Sequence, residues 1–143
     1  MPVAPTMQLR ITTPECVKYD DVAEMVILRC ISGDMGILPN HEPISAILDF
    51  GVLRIINDGA ERRMAVFGGI AQVGDNKVTI LANNAQWPED IDIALVEAER
   101  ERMLRRSQVD RDDLTIQKDQ VALRRTLVQI EVSSFPLAGG KIQ

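Results

Sequence analysis

Gly33-Asp34-Met35-Gly36-Ile37-Leu38-Pro39-Asn40-His41-Glu42-Pro43 places two glycines, two prolines and the only histidine of the chain between two apolar runs. Gly33 and Gly36 can take positive φ without a Cβ clash, and the prolines fix φ and remove two amide donors. A stretch written this way makes a rigid, shaped loop. Such loops commonly carry recognition when a sheet holds them.

The flanking sequence reads as that sheet. Residues 7–13 alternate, with Met7, Leu9 and Ile11 against Gln8, Arg10 and Thr12. Further strands are expected at 22–31, 44–48, 52–56, 64–67, 70–73 and 78–82, most of them rich in Val and Ile. Asn57-Asp58-Gly59, Gly68-Gly69 and Gly74-Asp75-Asn76 separate them as turns. Short strands at this spacing suggest a β-sandwich or a barrel.

The composition changes at Trp87-Pro88, and residues 89–132 contain neither glycine nor proline. Pro88 suits a first helical turn, where its missing amide costs nothing. Glu89, Asp90 and Asp92 at the start and Arg100, Arg102, Arg105 and Arg106 at the end complement the helix dipole. Ser107-Gln108-Val109-Asp110 breaks the pattern, and Asp110, Asp112 or Asp113 caps a second helix running to about residue 132. Helix one presents Ile91, Ala94, Leu95 and Ala98 on one side. Helix two carries two stripes: Ile116, Leu123, Leu127 and Ile130, and opposite them Leu114, Val121, Val128 and Val132, with Lys118 and Arg125 alongside. A surface helix normally needs one stripe. One of these can pack on helix one and the other on the β domain, or helix two can exchange partners. The expected organisation is a β domain at 1–86, a helical hairpin at 87–133 and a disordered tail at 134–143.

Composition removes several classes of function. The net charge of −5 and the 3% of aromatic residues give no footprint or stacking surface for nucleic acid. No run of 18 apolar residues is present to span a membrane, and Met1-Pro2-Val3-Ala4-Pro5-Thr6 lacks the regions of a signal peptide. Cys16 and Cys30 have no metal-ligand spacing and read as two reduced, buried thiols of a cytoplasmic protein. His41 has no nucleophile motif near it, and Asp20-Asp21 and Asp112-Asp113 are adjacent as in turns or caps, so no catalytic or metal site is expected.

GDMGILPNHEP resembles the loop of the epsilon subunit of F-type ATP synthases, the small rotor subunit of the central stalk. Phe67-Gly68-Gly69-Ile70-Ala71-Gln72-Val73, Asn76-Lys77-Val78-Thr79-Ile80-Leu81-Ala82 and Glu89-Asp90-Ile91-Asp92 follow in that family's order, and residues 7–132 lie along it without large gaps. The resemblance implies a mixed fold, an N-terminal antiparallel β-sandwich of two sheets followed by a C-terminal α-helical hairpin. It implies a non-catalytic rotor subunit of a proton- or sodium-translocating complex, coupling the catalytic head to the c-ring. The gamma subunit and the c-ring would be its partners, with the alpha and beta subunits added when the hairpin extends and blocks ATP hydrolysis. The chain would lie at the cytoplasmic face of the inner (plasma) membrane, touching it only through the complex.

The resemblance also carries residues. Asp34, Met35 and His41 stand at c-ring contact positions, although Asp34 reads equally as a turn aspartate and His41 as a histidine bonding loop backbone. Arg100, Arg102, Arg105, Arg106, Arg124 and Arg125 would meet acidic loops of the catalytic subunits, or else form solvated pairs such as Glu101 with Arg105. Family members that bind ATP read I/L-D-x-x-R-A at the first helix. Here Ile91-Asp92-Ile93-Ala94-Leu95-Val96 keeps Asp92 but has Leu95 for the arginine and Val96 for the alanine, so weak or absent ATP binding is expected. The alternative from another class is a free-standing β-sandwich binding module with a helical dimerisation hairpin.

Overall fold

The computed structural model describes residues 4–106 and 113–133, with side chains described for 4–105 and 117–133. The expected break at 107–110, the candidate caps Asp110 and Asp112, and the expected disordered tail at 134–143 lie outside the described residues. So do the side chains of Arg106, Asp113, Leu114 and Ile116. The elements are β1 (Met7–Thr12), β2 (Val17–Ala23), β3 (Met25–Cys30), β4 (Gly33–Ile37), β5 (Ile44–Asn57), β6 (Ala60–Gly74), β7 (Lys77–Ala82), β8 (Ala85–Gln86), a 3-10 turn (Pro88–Asp90), α1 (Ile93–Arg106) and α2 (Asp113–Ser133).

The expected antiparallel sandwich forms as one sheet folded into two layers. Its strand order is β2-β1-β7-β6-β5-β3-β4, with β8 added on β6. Only the β1–β7 pairing is parallel among these ladders. The folding is possible because β5 and β6 are 14 and 15 residues long and run through both layers. Residues 69–74 of β6 pair with β7, while Ala65 and Val66 pair with β8. Leu9, Ile11, Val26, Leu28, Leu53 and Ile80 fill the space between the layers, each at most 2% exposed.

The strands expected at 44–48 and 52–56 are therefore one strand, and so are those at 64–67 and 70–73. Gly68-Gly69 does not separate strands; it bends one. Gly68 has φ 78° and Gly69 φ 136°, and a Cβ on Gly69 would stand 2.3 Å from the Leu81 carbonyl oxygen. The other two expected turns are present as two-residue hairpins, with positive φ at Asp58 and Gly59 and at Asp75 and Asn76. The rigid stretch 33–43 is half strand: Gly33–Ile37 pairs with β3, and Ile37 is fully buried. β2 was not expected as far forward as Val17. Its charged, exposed residues suit an edge strand better than an apolar pattern would. Residues 22–31 break at Glu24, whose amide donates to the Asn57 side chain at 3.0 Å. Cys30 is buried as expected, but Cys16 is exposed in the β1–β2 turn, where the Thr13 hydroxyl and the Cys16 backbone bond each other at the surface.

The hairpin also differs in detail. Pro88 opens a separate 3-10 turn, not α1. Asp92 caps α1, its Oδ1 accepting the Leu95 amide at 3.2 Å. The buried side of α1 is Val96 and Met103, two turns apart and facing α2. Ala94, Leu95 and Ala98 point to solvent instead, with Leu95 at 64% exposure. Among the described residues of the expected α2 stripes, Val128 and Val132 are buried, while Val121 is exposed.

Gly69→Ala should lower unfolding stability by at least about 2 kcal/mol, because it combines backbone strain with a backbone clash that no rotamer relieves. Urea unfolding checks this. A loss below about 0.5 kcal/mol would show that the bend does not require glycine.

Candidate functional site

Three surfaces can meet other molecules: the loop end, the outer face of one layer, and the seat of the hairpin on the other layer.

The loop end is built rigidly, as its composition demands. Asn40, at φ 62°, donates its amide to Asn76 Oδ1 at 2.8 Å, and Asn76 in turn donates to the Thr6 carbonyl at 3.0 Å. The loop is thus tied to the β6–β7 turn and to the start of β1. His41 Nδ1 donates to the Glu42 carbonyl at 2.8 Å, the loop-bonding arrangement weighed from the sequence. Asp34 is exposed at the start of β4 and pairs with Arg29 Nε at 3.2 Å. Met35 is half-buried against the core. The structure thus does not gather Asp34, Met35 and His41 into one cluster; His41 lies beyond the far end of β4.

The outer face holds a feature the sequence reading missed. Ile47 pairs with Ile70, and Ile70 with Leu81. Ile31 continues the row, its amide donating to the Ile47 carbonyl at 3.0 Å. These four side chains are 66%, 57%, 46% and 49% exposed for Ile31, Ile47, Ile70 and Leu81 respectively. An in-register row on a continuous sheet makes one contiguous apolar surface rather than scattered surface hydrophobics. Each residue sat inside an apolar run, and only the register tells its outward side from the core.

The hairpin seat lies on the opposite layer. Val128 and Val132 of α2 rest on Ala65 and Phe67, with Phe50, Val52 and Ile91 around them. Phe50 and Phe67 meet edge to face, their centroids 5.6 Å apart. Polar contacts frame this small apolar centre. Arg124 Nη2 donates to Asp49 Oδ1 at 2.7 Å and its guanidinium lies 5.2 Å from the Phe50 ring centre. Arg125 lies 4.7 Å over Phe67, and Gln129 donates to the Gln86 side-chain oxygen at 2.6 Å. An open cleft of about 420 Å³ beside the seat is lined by Phe50, Phe67, Asn83, Asn84 and Arg125 with the 13–15 turn.

The expected arginine set divides. Arg124 and Arg125 belong to the seat. Arg102 and Arg105 sit on exposed α1 positions beside Glu99 and Glu101, at 3.7 and 3.4 Å, as the Glu101 expectation had it. Arg100 is exposed nearby. At the joint, Trp87 packs against the core, with Arg62 4.0 Å over its ring and Tyr19 6.4 Å away. Burial pushes the Tyr19 hydroxyl above its ordinary range. Burial also works to raise the Glu61 carboxyl, but hydrogen bonds from Arg54 and Arg63 outweigh it and hold Glu61 below the usual carboxylate range. This makes Glu61 a structural anion between two cations. Asp92 spends its Oδ1 on the helix cap, Leu95 offers no donor, and Val96 faces α2. Among the described residues no three His, Cys, Asp or Glu side chains stand together as metal ligands.

Residues 6–88 match a family described as "ATP synthase, Delta/Epsilon chain, beta-sandwich domain". The chain is 35% identical over 133 residues to an ATP synthase epsilon chain of Syntrophomonas wolfei, covering 92% of this chain and 97% of that one. It is 38% identical over 128 residues to the ATP synthase epsilon chain of Bacillus velezensis, covering 90% and 97%. Its fold is similar to a chain in the Euglena gracilis mitochondrial ATP synthase (OSCP/F1/c-ring), with a TM-score of 0.80 and 22% identity over 94% of this chain and 85% of that one.

Val128→Asp should release the hairpin without unfolding the sandwich, since Val128 is buried only by the seat and an unpaired buried charge is costly. Hydrogen exchange reads both parts at once. Unchanged protection in α2 would count against the seat as the holding contact.

Proposed function

The chain belongs to the ATP synthase delta/epsilon family, and on that premise we propose that its sandwich couples the gamma subunit to the c-ring while its helical hairpin restrains ATP hydrolysis. It is an accessory rotor subunit of the ATP synthase and does no chemistry itself. The observation that carries the regulatory half is the composition of the seat. Two buried valines contribute about 1.5–3 kcal/mol each, as an upper estimate. The exposed Arg124–Asp49 pair adds at most about 1 kcal/mol. Ordering α2 against the sandwich offsets much of this. A docking balance of a few kcal/mol is one that a partner with modest differential affinity can shift.

The Ile31, Ile47, Ile70 and Leu81 row supports the placement of gamma: an exposed apolar surface across β5, β6 and β7, continued by Ile31, suits a subunit contact. The loop end supports the placement of the c-ring, because its rigid backbone presents exposed Leu38 without a conformational cost on contact. In the extended hairpin, Arg100, Arg102 and Arg105 of α1 and Arg124 and Arg125 of α2 would face acidic loops of the alpha and beta subunits. Arginine suits that chemistry because its planar fork matches a carboxylate. The chain would accordingly sit at the membrane through its partners; no helix among the described residues is long and apolar enough to cross one. The alternative of a dimerisation hairpin loses its motive, since Val128 and Val132 are seated on the chain's own sandwich.

We also infer that ATP does not hold this hairpin down. Leu95, where binding members have arginine, gives neither charge nor donor to a phosphate, and a neutral Gln86–Gln129 bond already joins the hairpin to the sandwich. Calorimetric titration with ATP should show no sub-millimolar binding; a sub-millimolar Kd would refute this.

The test of the main reading is ATP hydrolysis by a matching complex stripped of its own epsilon subunit. Adding the full chain should inhibit hydrolysis, and a chain ending at Gln86 should bind without inhibiting. Equal inhibition by both would remove the hairpin from regulation.

A further inference from the structure

Arg124 is already engaged by a carboxylate within its own chain. Asp49 Oδ1 accepts the Phe50 amide at 2.8 Å and Arg124 Nη2 at 2.7 Å, so the backbone fixes the oxygen that the arginine reaches. The guanidinium lies on the Phe50 side, and the neighbouring Arg125 covers Phe67. Asp49 and Arg124 are 37% and 55% exposed, so water reaches the pair and it can be exchanged at low cost. A fixed carboxylate at hydrogen-bond distance presents an arginine with the chemistry of an acidic loop of another protein.

We propose that Asp49 is an internal competitor for Arg124: it holds the hairpin down by occupying the arginine that an acidic surface of the catalytic head takes when the hairpin extends. This rests on the proposed meeting of α2 with the acidic loops of the head. The arginine cannot serve both carboxylates at once, because one lies on the sandwich and the other is reached only after undocking. Contact with the head therefore becomes available in the same event that breaks the latch. The seat is thereby an exchange of one carboxylate partner for another, which keeps the arginine paired in both states.

The two partners of the latch make opposite predictions, and this separates competition from simple support. Asp49→Asn keeps the acceptor oxygen for the Phe50 amide and removes only the charge. In the isolated full chain it should raise the exchange rate of α2 amides by up to about fivefold. Arg124→Ala should raise it similarly. In the epsilon-stripped complex, Asp49→Asn should inhibit ATP hydrolysis more strongly than the parent chain, and Arg124→Ala less strongly. The charge swap Asp49→Arg with Arg124→Asp should restore α2 protection while losing inhibition.

Unchanged α2 exchange in Asp49→Asn would overturn the latch. Faster exchange in both variants with equal inhibition by both would overturn the competition, leaving a plain docking contact. If Asp49→Asn frees α2 but neither it nor the parent chain inhibits hydrolysis, the reading of the hairpin as a brake fails, and the competition fails with it.

Discussion

The close approach of Gly69 to the Leu81 carbonyl is the constraint on which the rest of this molecule depends. It lets one strand turn from one layer into the other without ending. Because β6 bends there, its two halves serve different layers while β5 stays paired along nearly the whole length. The single core forms between those layers, and the two outer faces come to lie on opposite sides. One outer face carries the apolar row, and the other carries the hairpin seat. A protein that needs a permanent partner on one side and a reversible one on the other is served by this geometry, since neither contact has to make room for its rival.

The two faces differ in chemistry as the roles proposed for them require. The row of Ile31, Ile47, Ile70 and Leu81 has no charged neighbour in its register and suits burial that is never undone. The seat mixes two valines with two arginines, an aspartate and a pair of glutamines. Polar groups of this kind lose little when water replaces their partners. A seat made only of valine and phenylalanine would hold α2 more firmly than the proposed exchange of partners allows.

Much of this was legible in the residues. Asp58-Gly59 and Asp75-Asn76 named their hairpins, because few residues tolerate positive φ twice in succession. The change at Trp87-Pro88 marked where strands give way to helices. The glycine pair was misread because Gly-Gly announces only backbone freedom, and a turn and a bend use that freedom alike. β2 stayed hidden because an edge strand rich in Lys18, Asp20 and Asp21 has no apolar alternation to show. The apolar row was hidden for the opposite reason: Ile47 and Ile70 lie among other apolar residues, and which side faces out depends on pairing across strands. For α1, Leu95 looked like a core residue, but the orientation of α1 was set by Val96 and Met103 meeting α2. Arg124 and Asp49 are 75 residues apart, and no local pattern relates them.

The parallel pairing of β1 with β7 has a consequence for how the chain is made. β1 lies between β2 and β7, and Gln8 stands opposite Val22 on one side and Lys77 on the other. β1 must wait for almost the last strand of the sandwich, so the layer closes late and through contacts distant in sequence, which slows folding. The helices emerge after that. Val128 and Val132 therefore follow in sequence every strand of the platform on which they rest.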